Sequence, residues 1–230
     1  MVKTNKYIMD IAIYGAGGFG REVKLIIDAI NKKNEGTYNL IGFFDDKIEK
    51  GTIVNGIPVL GGINDLNDYS GLLAVTIAIG DPKNKFSVIK SIFNKQLVFP
   101  NLIHPNVSIS NDDVDLGKGI IICEGSILTC NIKIEDYVVI NLMCTVGHDS
   151  IIRAYSSIMP GVNVSGEVIL GEKSYIGTGA KIINLVEIGE NVVVGAGAVV
   201  SKSFPGNCTV VGVPAKVIKE NKEIDFLFHK

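Results

Sequence analysis

The sequence predicts an α/β domain of about one hundred residues followed by a β-solenoid. Three observations carry that expectation. A strand-like run from Met9 to Tyr14 enters the segment Gly15-Ala16-Gly17-Gly18-Phe19-Gly20 and then a helical pattern. An aliphatic residue recurs at every sixth position from Leu116 to Val200. The composition suits that repeat: 47% of the 230 residues are hydrophobic but only 7% are aromatic, with 0 Trp and 26 Gly. Thin layers packed from small branched side chains need such a mixture.

In the first part of the chain, Arg21 to Lys33 places Val23, Ile26, Ile27 and Ile30 on one helical face. Leu40 to Phe44 reads as a second strand, ending at Asp45-Asp46-Lys47. A third strand, Leu72 to Ile79, ends at Gly80-Asp81-Pro82 and leads into a helix over about Lys83 to Asn94, with Phe86, Ile89 and Phe93 as its apolar face. Strand, helix, strand, strand, helix makes a small parallel α/β domain. Breaks at Pro100-Asn101 and His104-Pro105 mark its end. The expected domains are therefore residues 1–104, a solenoid over 105–218, and a tail over 219–230 that contains Phe226, Leu227 and Phe228.

The repeat comprises Leu116, Ile122, Leu128, Ile134, Ile140, Val146, Ile152, Ile158, Val164, Leu170, Ile176, Ile182, Ile188, Val194 and Val200, without one insertion. Ile, Leu and Val make up about a third of the chain, so fifteen random hits have a probability of about 3 × 10⁻⁸. Two residues before each hit lies a small or β-branched residue, as at Val114, Ser126, Ile132, Cys144, Ser156, Ala180, Val186 and Ala198. Gly follows the aliphatic at 117, 147, 171, 177, 189 and 195, where a chain turning a corner benefits from lacking a Cβ. A six-residue period without helical spacing is the mark of a parallel β-helix. Three hexads close a triangular coil of 18 residues, so fifteen give five coils, each inward aliphatic contributing on the order of 1.5–3 kcal/mol when fully buried.

Charge and chain ends exclude several function classes. A net charge of -2 gives no electrostatic footprint for nucleic acid or for a basic membrane-surface protein. No signal-peptide pattern occupies Met1 to Asp10 and no apolar run reaches membrane-spanning length, so a cytoplasmic protein is expected. Cys123, Cys130, Cys144 and Cys208 lack metal-ligand spacing and only 3 His occur, so neither a metal site nor a disulfide framework is expected; the four thiols read as small buried side chains.

Function should sit where the repeat is broken. His148 is the one histidine among the coils, at an outward corner after Val146-Gly147. Asp149 adjoins it and Asn141 lies one hexad and one residue earlier. In an 18-residue coil His148 stacks against Gly166, whose missing side chain should leave the corner open and its N–H accessible to a developing oxyanion. A neutral imidazole near pH 7 is suited to take a proton from an attacking amine or hydroxyl.

Fifteen hexads, the segment Asn141 to Asp149 and Val211-Gly212-Val213-Pro214-Ala215-Lys216 resemble the left-handed β-helix acyltransferases. With the preceding glycine-loop domain, the resemblance narrows to the family that N-acetylates nucleotide-linked amino sugars, with its sialic acid O-acetyltransferase relatives, and covers roughly residues 9–218. It implies a homotrimer using acetyl-CoA without a metal, each acetyl-CoA lying between the prisms of adjacent subunits. It further implies that His148 is the general base and Asp149 its acidic neighbour, a Glu in some members. By the same resemblance Gly166, Ser157, the corners Gly177-Thr178-Gly179-Ala180 and Gly195-Ala196-Gly197, and Lys216 meet acetyl-CoA. The amino sugar implied is a 4-amino-4,6-dideoxyhexose of bacterial surface-glycan synthesis.

Gly15-x-Gly17-x-x-Gly20 has the form of a Rossmann-like dinucleotide fingerprint, with acidic residues downstream. Its physics serves any nucleotide diphosphate, because glycines permit close approach and a helix N-terminus favours phosphate. The resemblance implies that Gly15, Ala16, Gly17 and Gly18, with Asp45, Asp46 and Lys47 and the strand end at Gly80 and Asp81, hold the nucleotide of the sugar substrate. The alternatives are a sugar O-acetyltransferase, an NAD-dependent oxidoreductase resting on the glycine loop, and a non-catalytic nucleotide-sugar scaffold.

Overall fold

The computed structural model describes residues 8–34 and 36–220. Residues 1–7 of the first expected domain, and the tail residues Phe226, Leu227 and Phe228, lie outside the described residues.

The first unit runs β1 (Met9–Tyr14), α1 (Gly18–Asn34), β2 (Tyr38–Phe44), β3 (Ile53–Val54), β4 (Ile57–Gly61), α2 (Ile63–Asn67), β5 (Leu73–Ile77), α3 (Pro82–Ser91) and β6 (Leu97–Val98). The sheet order is β3-β4-β2-β1-β5-β6, parallel except for β3 against β4. The chain leaves β1 for β2 on one side and returns to β5 on the other, which opens a crevice beyond the carboxyl end of β1. On α1 the predicted stripe Val23, Ile26, Ile27 and Ile30 is buried against β1.

One local expectation changes, and one hairpin is added to the expected elements. The helix after Asp81 ends at Ser91, because Ile92 turns to extended backbone (φ -85°, ψ 121°); Phe93 lies outside the helix and is 73% exposed. The β3–β4 hairpin turns through Asn55 (φ 47°) and Gly56 (φ 79°), the pair of positive φ angles that makes Asn-Gly a hairpin turn.

The second unit is a parallel β-helix with three faces. Its first face is the eight-stranded sheet that includes Ile121–Ile122, Val139–Ile140, Ser157–Ile158, Tyr175–Ile176 and Val193–Val194; the second has 6 strands and the third 5. Each strand pairs with the one eighteen positions on, as in Ile122↔Ile140, Val146↔Val164 and Ile152↔Leu170. All fifteen phased aliphatics pack in the stack, and all but the partly covered Leu116 are buried.

The stack extends beyond the hexads that share one phase. Leu102–Ile103 and Ser108–Ile109 pair with Ile121–Ile122 and Ile127–Leu128, but at an offset of nineteen. One extra residue between Ile109 and Leu116 shifts the phase and hides these strands from a strict period of six. At the other end Cys208–Val211 continues the first face, and Lys216–Glu220 adds the antiparallel edge strand.

Corner geometry revises the reading of the glycines. Every sixth residue from Asp113 through Gly197 has positive φ, and ten of these are not glycine, among them Asn131, Tyr137, Asp149, Tyr155 and Leu185. The glycines after the aliphatics, such as Gly147 and Gly171, are absent from this positive-φ set. They are required because coils touch there: a Cβ on Gly147 would lie 2.6 Å from the Gly166 nitrogen, and one on Gly171 would lie 2.4 Å from the Gly189 carbonyl carbon.

The α/β unit docks on the first face and on the corner between the third and first faces. Outward residues Leu102, Ile121, Cys123 and Val139 join the hydrophobic cluster of β1 and α1. At the corner Tyr137 and Tyr155, one coil apart, stack at 5.7 Å, with Phe99 edge-on to Tyr137 and Phe86 edge-on to Tyr155 at 5.0 Å. Two of the few aromatics in the coils therefore build the junction. Beside them Lys85 of α3 is buried, its Nζ donating to the Ser157 hydroxyl at 2.9 Å and the Ser156 carbonyl at 3.2 Å.

Burial pulls the Lys85 ammonium down to about 7, opposed by the Asp81 carboxylate. The unfolded chain keeps this proton up to the ordinary lysine range near 10.4, so between those values the unfolded state binds more protons and Lys85 makes stability rise with pH. Lys85→Met lacks this linkage. Its melting temperature relative to wild type should be highest near pH 7 and fall steadily towards pH 10; a difference independent of pH would contradict the buried titration.

Candidate active site

His148 follows the strand Thr145–Val146 and sits on the corner between the second and third faces. Its Nδ1 lies 2.7 Å from Asp149 Oδ2. Both side chains are about half exposed, at 57% and 50%. An ionised carboxylate accepts only, so the proton belongs on Nδ1 and Nε2 carries the free lone pair. Hydrogen bonds from His148 and then from Asn131 hold the Asp149 carboxyl below the usual carboxylate range, so it stays ionised at neutral pH.

Gly166 stacks on His148 as the coil length requires, but the corner is not open. The imidazole covers it: a Cβ on Gly166 would lie 2.5 Å from both Cε1 and Nε2 of the ring. Gly166 is itself buried, so its clear part is to leave room for the base.

Asn141 is placed elsewhere. It follows Val139–Ile140, on the corner between the first and second faces, and is 6% exposed with its Oδ1 accepting from the Leu142 N–H at 2.7 Å. The chain does not bring it to the His148 dyad. Along that same corner run Thr178, Gly179, Ala196 and Gly197. Gly161, Gly179 and Gly197, one per coil, have positive φ and nothing within 4 Å of a built Cβ, which gives a bare backbone strip facing outward. Gly161 belongs to the strip although sequence reading passed it over. Gly177 and Gly195 serve coil contact instead, their Cβ positions lying 2.6 Å from the Ala196 nitrogen and 2.7 Å from Val211 Cγ1.

Four residues expected to meet a ligand make other contacts in the structure. Ser157 is fully buried under α3 and bonded to Lys85, so it offers no atom to a surface ligand. Ala180 is 0% exposed in the coil core. Asp81 caps α3, its carboxylate accepting from the Asn84 N–H at 2.8 Å, and Gly80 faces Met159 of the solenoid. Lys216 is exposed on the edge strand. Cys130 is only partly covered, unlike the other three thiols.

The crevice beyond β1 is a cleft of about 470 Å³ lined by Tyr14, Gly15, Gly17, Gly18, Phe19, Asp45, Asp46, Lys47, Ala78, Ile79, Asn84, Ser87 and Val88. Its size suits a small ligand. Gly15 (φ +105°) approaches the Ala78 carbonyl, and a Cβ on Gly20 would lie 1.8 Å from the Gly15 oxygen, so these two glycines close the strand–helix turn. Gly17 has open space. Asp45 accepts from the Ala16 N–H at 2.8 Å and the Lys47 N–H at 2.9 Å; Asp46 accepts from the Ile63 N–H at 2.8 Å and from the Tyr14 hydroxyl. Each carboxylate oxygen thus has one donor already and keeps one lone pair for a ligand. Burial, then the bond to Asp46, pushes the Tyr14 phenol far above its ordinary value, so it remains a donor.

Among the described residues no group of three or more His, Cys, Asp or Glu is arranged to hold a metal ion, and no helix is long and apolar enough to cross a membrane.

The PglD N-terminal domain family matches residues 10–92. A GDP-perosamine N-acetyltransferase of Escherichia coli O157:H7 is 33% identical over 170 residues, covering 74% of this chain and 76% of the relative. The chain belongs to the left-handed β-helix nucleotide-sugar N-acetyltransferases. Among solved structures, the acetyltransferase domain of PglB from Neisseria gonorrhoeae FA1090, in complex with acetyl coenzyme A, matches with a TM-score of 0.83 and 32% identity over 92% of this chain and 100% of that one. PerB from Caulobacter crescentus, in complex with CoA and GDP-perosamine, matches with a TM-score of 0.81 and 28% identity over 93% of this chain and 99% of that one.

Within this family's fold the chain assembles two of the predicted groups: the dyad His148–Asp149 with Gly166, and the glycine loop with Asp45 to Lys47. It leaves Asn141 and the glycine strip on a different corner from the dyad. Sequence reading missed Tyr14, Asn84 and Ser87 in the cleft, and Asn131, which donates to Asp149 Oδ1 at 3.0 Å.

Gly166→Ala should displace the imidazole while leaving the coils intact. The expected outcome is a loss in acetyl-transfer kcat of about 100-fold, the scale of a 1 Å misplacement, with a melting temperature near that of wild type. Wild-type turnover in this variant would show that the ring does not need the space.

Proposed function

We propose that this chain transfers the acetyl group of acetyl-CoA to the amine of a nucleotide-linked 4-amino-4,6-dideoxyhexose, with His148 as general base. The observation that carries the reading is the exposed imidazole whose Nδ1 is held by an ionised Asp149 while Nε2 is left to accept a proton. Similarity to a GDP-perosamine N-acetyltransferase, and to PerB in complex with CoA and GDP-perosamine, supports an amino-sugar acceptor and this acyl donor. A bacterial surface-glycan or O-antigen pathway, in the cytoplasm, is the setting such an acceptor implies.

The residues divide the work. Acetyl-CoA supplies the activated thioester. His148 Nε2 takes the proton as the amine nitrogen bonds to the carbonyl carbon, and the C–S bond then breaks to leave CoA thiolate and an amide. Asp149 keeps the imidazole in the right tautomer and stabilises the imidazolium that forms. The cleft beyond β1 would take the nucleotide, with the α1 N-terminus and open Gly17 towards its phosphates and Asp45, Asp46 and Lys47 at its rim. The bare strip at Gly161, Gly179 and Gly197 fits an extended pantetheine, which needs close backbone approach.

Strip and base lie on different corners of one prism, so a single chain does not complete this site. A homotrimer brings the strip corner of one subunit to the His148 corner of the next, each acetyl-CoA lying between two prisms; cyclic symmetry then repeats the same site three times.

The test is CoA-thiol release with UDP-, dTDP- and GDP-linked amino sugars. Turnover with one of them, falling at least about 100-fold in His148→Ala, is expected from the usual contribution of a general base. Full activity in His148→Ala would remove the base. Turnover with a sialic acid alone would favour O-acetylation, and nucleotide binding without thiol release would favour a scaffold.

A further inference from the structure

We propose that Asn131 is a positioning residue for the His148 base, acting through Asp149. The inference rests on the reading of His148 as general base and extends it by one coil.

Asn131 stands one coil before Asp149 at the same corner, and both residues have left-handed backbone, with φ 54° and 58°. That register places the two side chains one above the other on the prism surface. Asn131 Nδ2 donates to Asp149 Oδ1 at 3.0 Å while Asp149 Oδ2 takes His148 Nδ1 at 2.7 Å. Among the described residues no other side chain donates to Asp149. The amide must present its NH₂, because an ionised carboxylate only accepts.

The physical need is plain. Asp149 is half exposed, so packing restrains its carboxylate less than it would a buried one. A carboxylate held by the imidazole alone can turn about its Cα–Cβ bond and carry the ring with it. Pinned at both oxygens, it has one orientation, and the ring is fixed through it. Asn also suits the corner, because it tolerates left-handed backbone better than most residues. The chain Asn131–Asp149–His148 thus runs from a fixed coil to the reacting nitrogen without Asn131 touching substrate.

Asn131→Gly tests this without straining the backbone, since the equivalent corner position is already glycine at Gly125, Gly161, Gly179 and Gly197. With acetyl-CoA and GDP-perosamine, Asn131→Gly should lower kcat on the order of tenfold, within the usual range of coupling between contacting residues, and leave KM for acetyl-CoA unchanged. Added to Asp149→Gly, it should have no further effect. An equal drop in both backgrounds, or no drop in the wild-type background while Asp149→Gly falls, would overturn the inference. Full kcat in both His148→Ala and Asp149→Gly would instead bring down the base reading itself, and this inference with it. A readout that needs no acceptor is ¹⁵N NMR of the His148 ring: the Nδ1–H tautomer should dominate in wild type and lose ground to Nε2–H in Asn131→Gly. An unchanged tautomer ratio would overturn the positioning role.

Discussion

Backbone hydrogen bonds at a fixed offset hold this molecule in register. The N–H of Ile121 donates to the Val138 carbonyl at 3.0 Å, that of Ile151 to Val168 at 2.9 Å, and that of Tyr175 to Val192 at 2.9 Å, each seventeen residues on. A one-residue slip in such short strands would turn every inward aliphatic outward. Fifteen aliphatics in phase make that slip prohibitively costly. The same register decides which surface residues meet. It stacks Gly166 on His148, Asn131 on Asp149, and Tyr137 on Tyr155, although none of these pairs is close in sequence.

The register also divides the surface by function. One corner carries the dyad, the next the glycine strip, and the third the stacked tyrosines that receive Phe86 and Phe99. Buried Lys85 adds two hydrogen bonds across the same junction at the cost of desolvating an amine. The outcome is a cleft of small-ligand size set against the prism, near Met159 at the start of the glycine-strip corner. In the proposed assembly that cleft and strip serve the base of a neighbouring subunit.

What the sequence makes legible follows from how many residues share each signal. The solenoid was legible because fifteen positions repeat one choice, and His148 because it breaks a pattern otherwise built of aliphatics and small residues. The strands at Leu102–Ile103 and Ser108–Ile109 were not, because a single inserted residue breaks the phase. Asn131 carries no local signal at all; it becomes visible only once the coil length is used to ask what lies beneath Asp149. The Asn55-Gly56 hairpin is signalled by its turn residues, an Asn-Gly pair that suits positive φ. Ser157, which the family resemblance places at acetyl-CoA, lies instead on the first face under α3, and nothing in its own sequence neighbourhood signals that another domain covers it. Lys85 is the counterpart on that domain, a charged residue in the helix face that docks, which periodicity alone assigns to solvent.

The claim on which the rest turns is that base and cofactor strip come from different chains. Co-expression of a His148→Ala chain with a Gly197→Arg chain, each carrying its own affinity tag, tests it after purification through both tags. Each homomer should be inactive, while a mixed trimer should regain up to about a third of the wild-type acetyl transfer per trimer, because cyclic symmetry leaves one interface with an intact base facing an intact strip. Mixed assemblies as inactive as either parent would contradict a shared site.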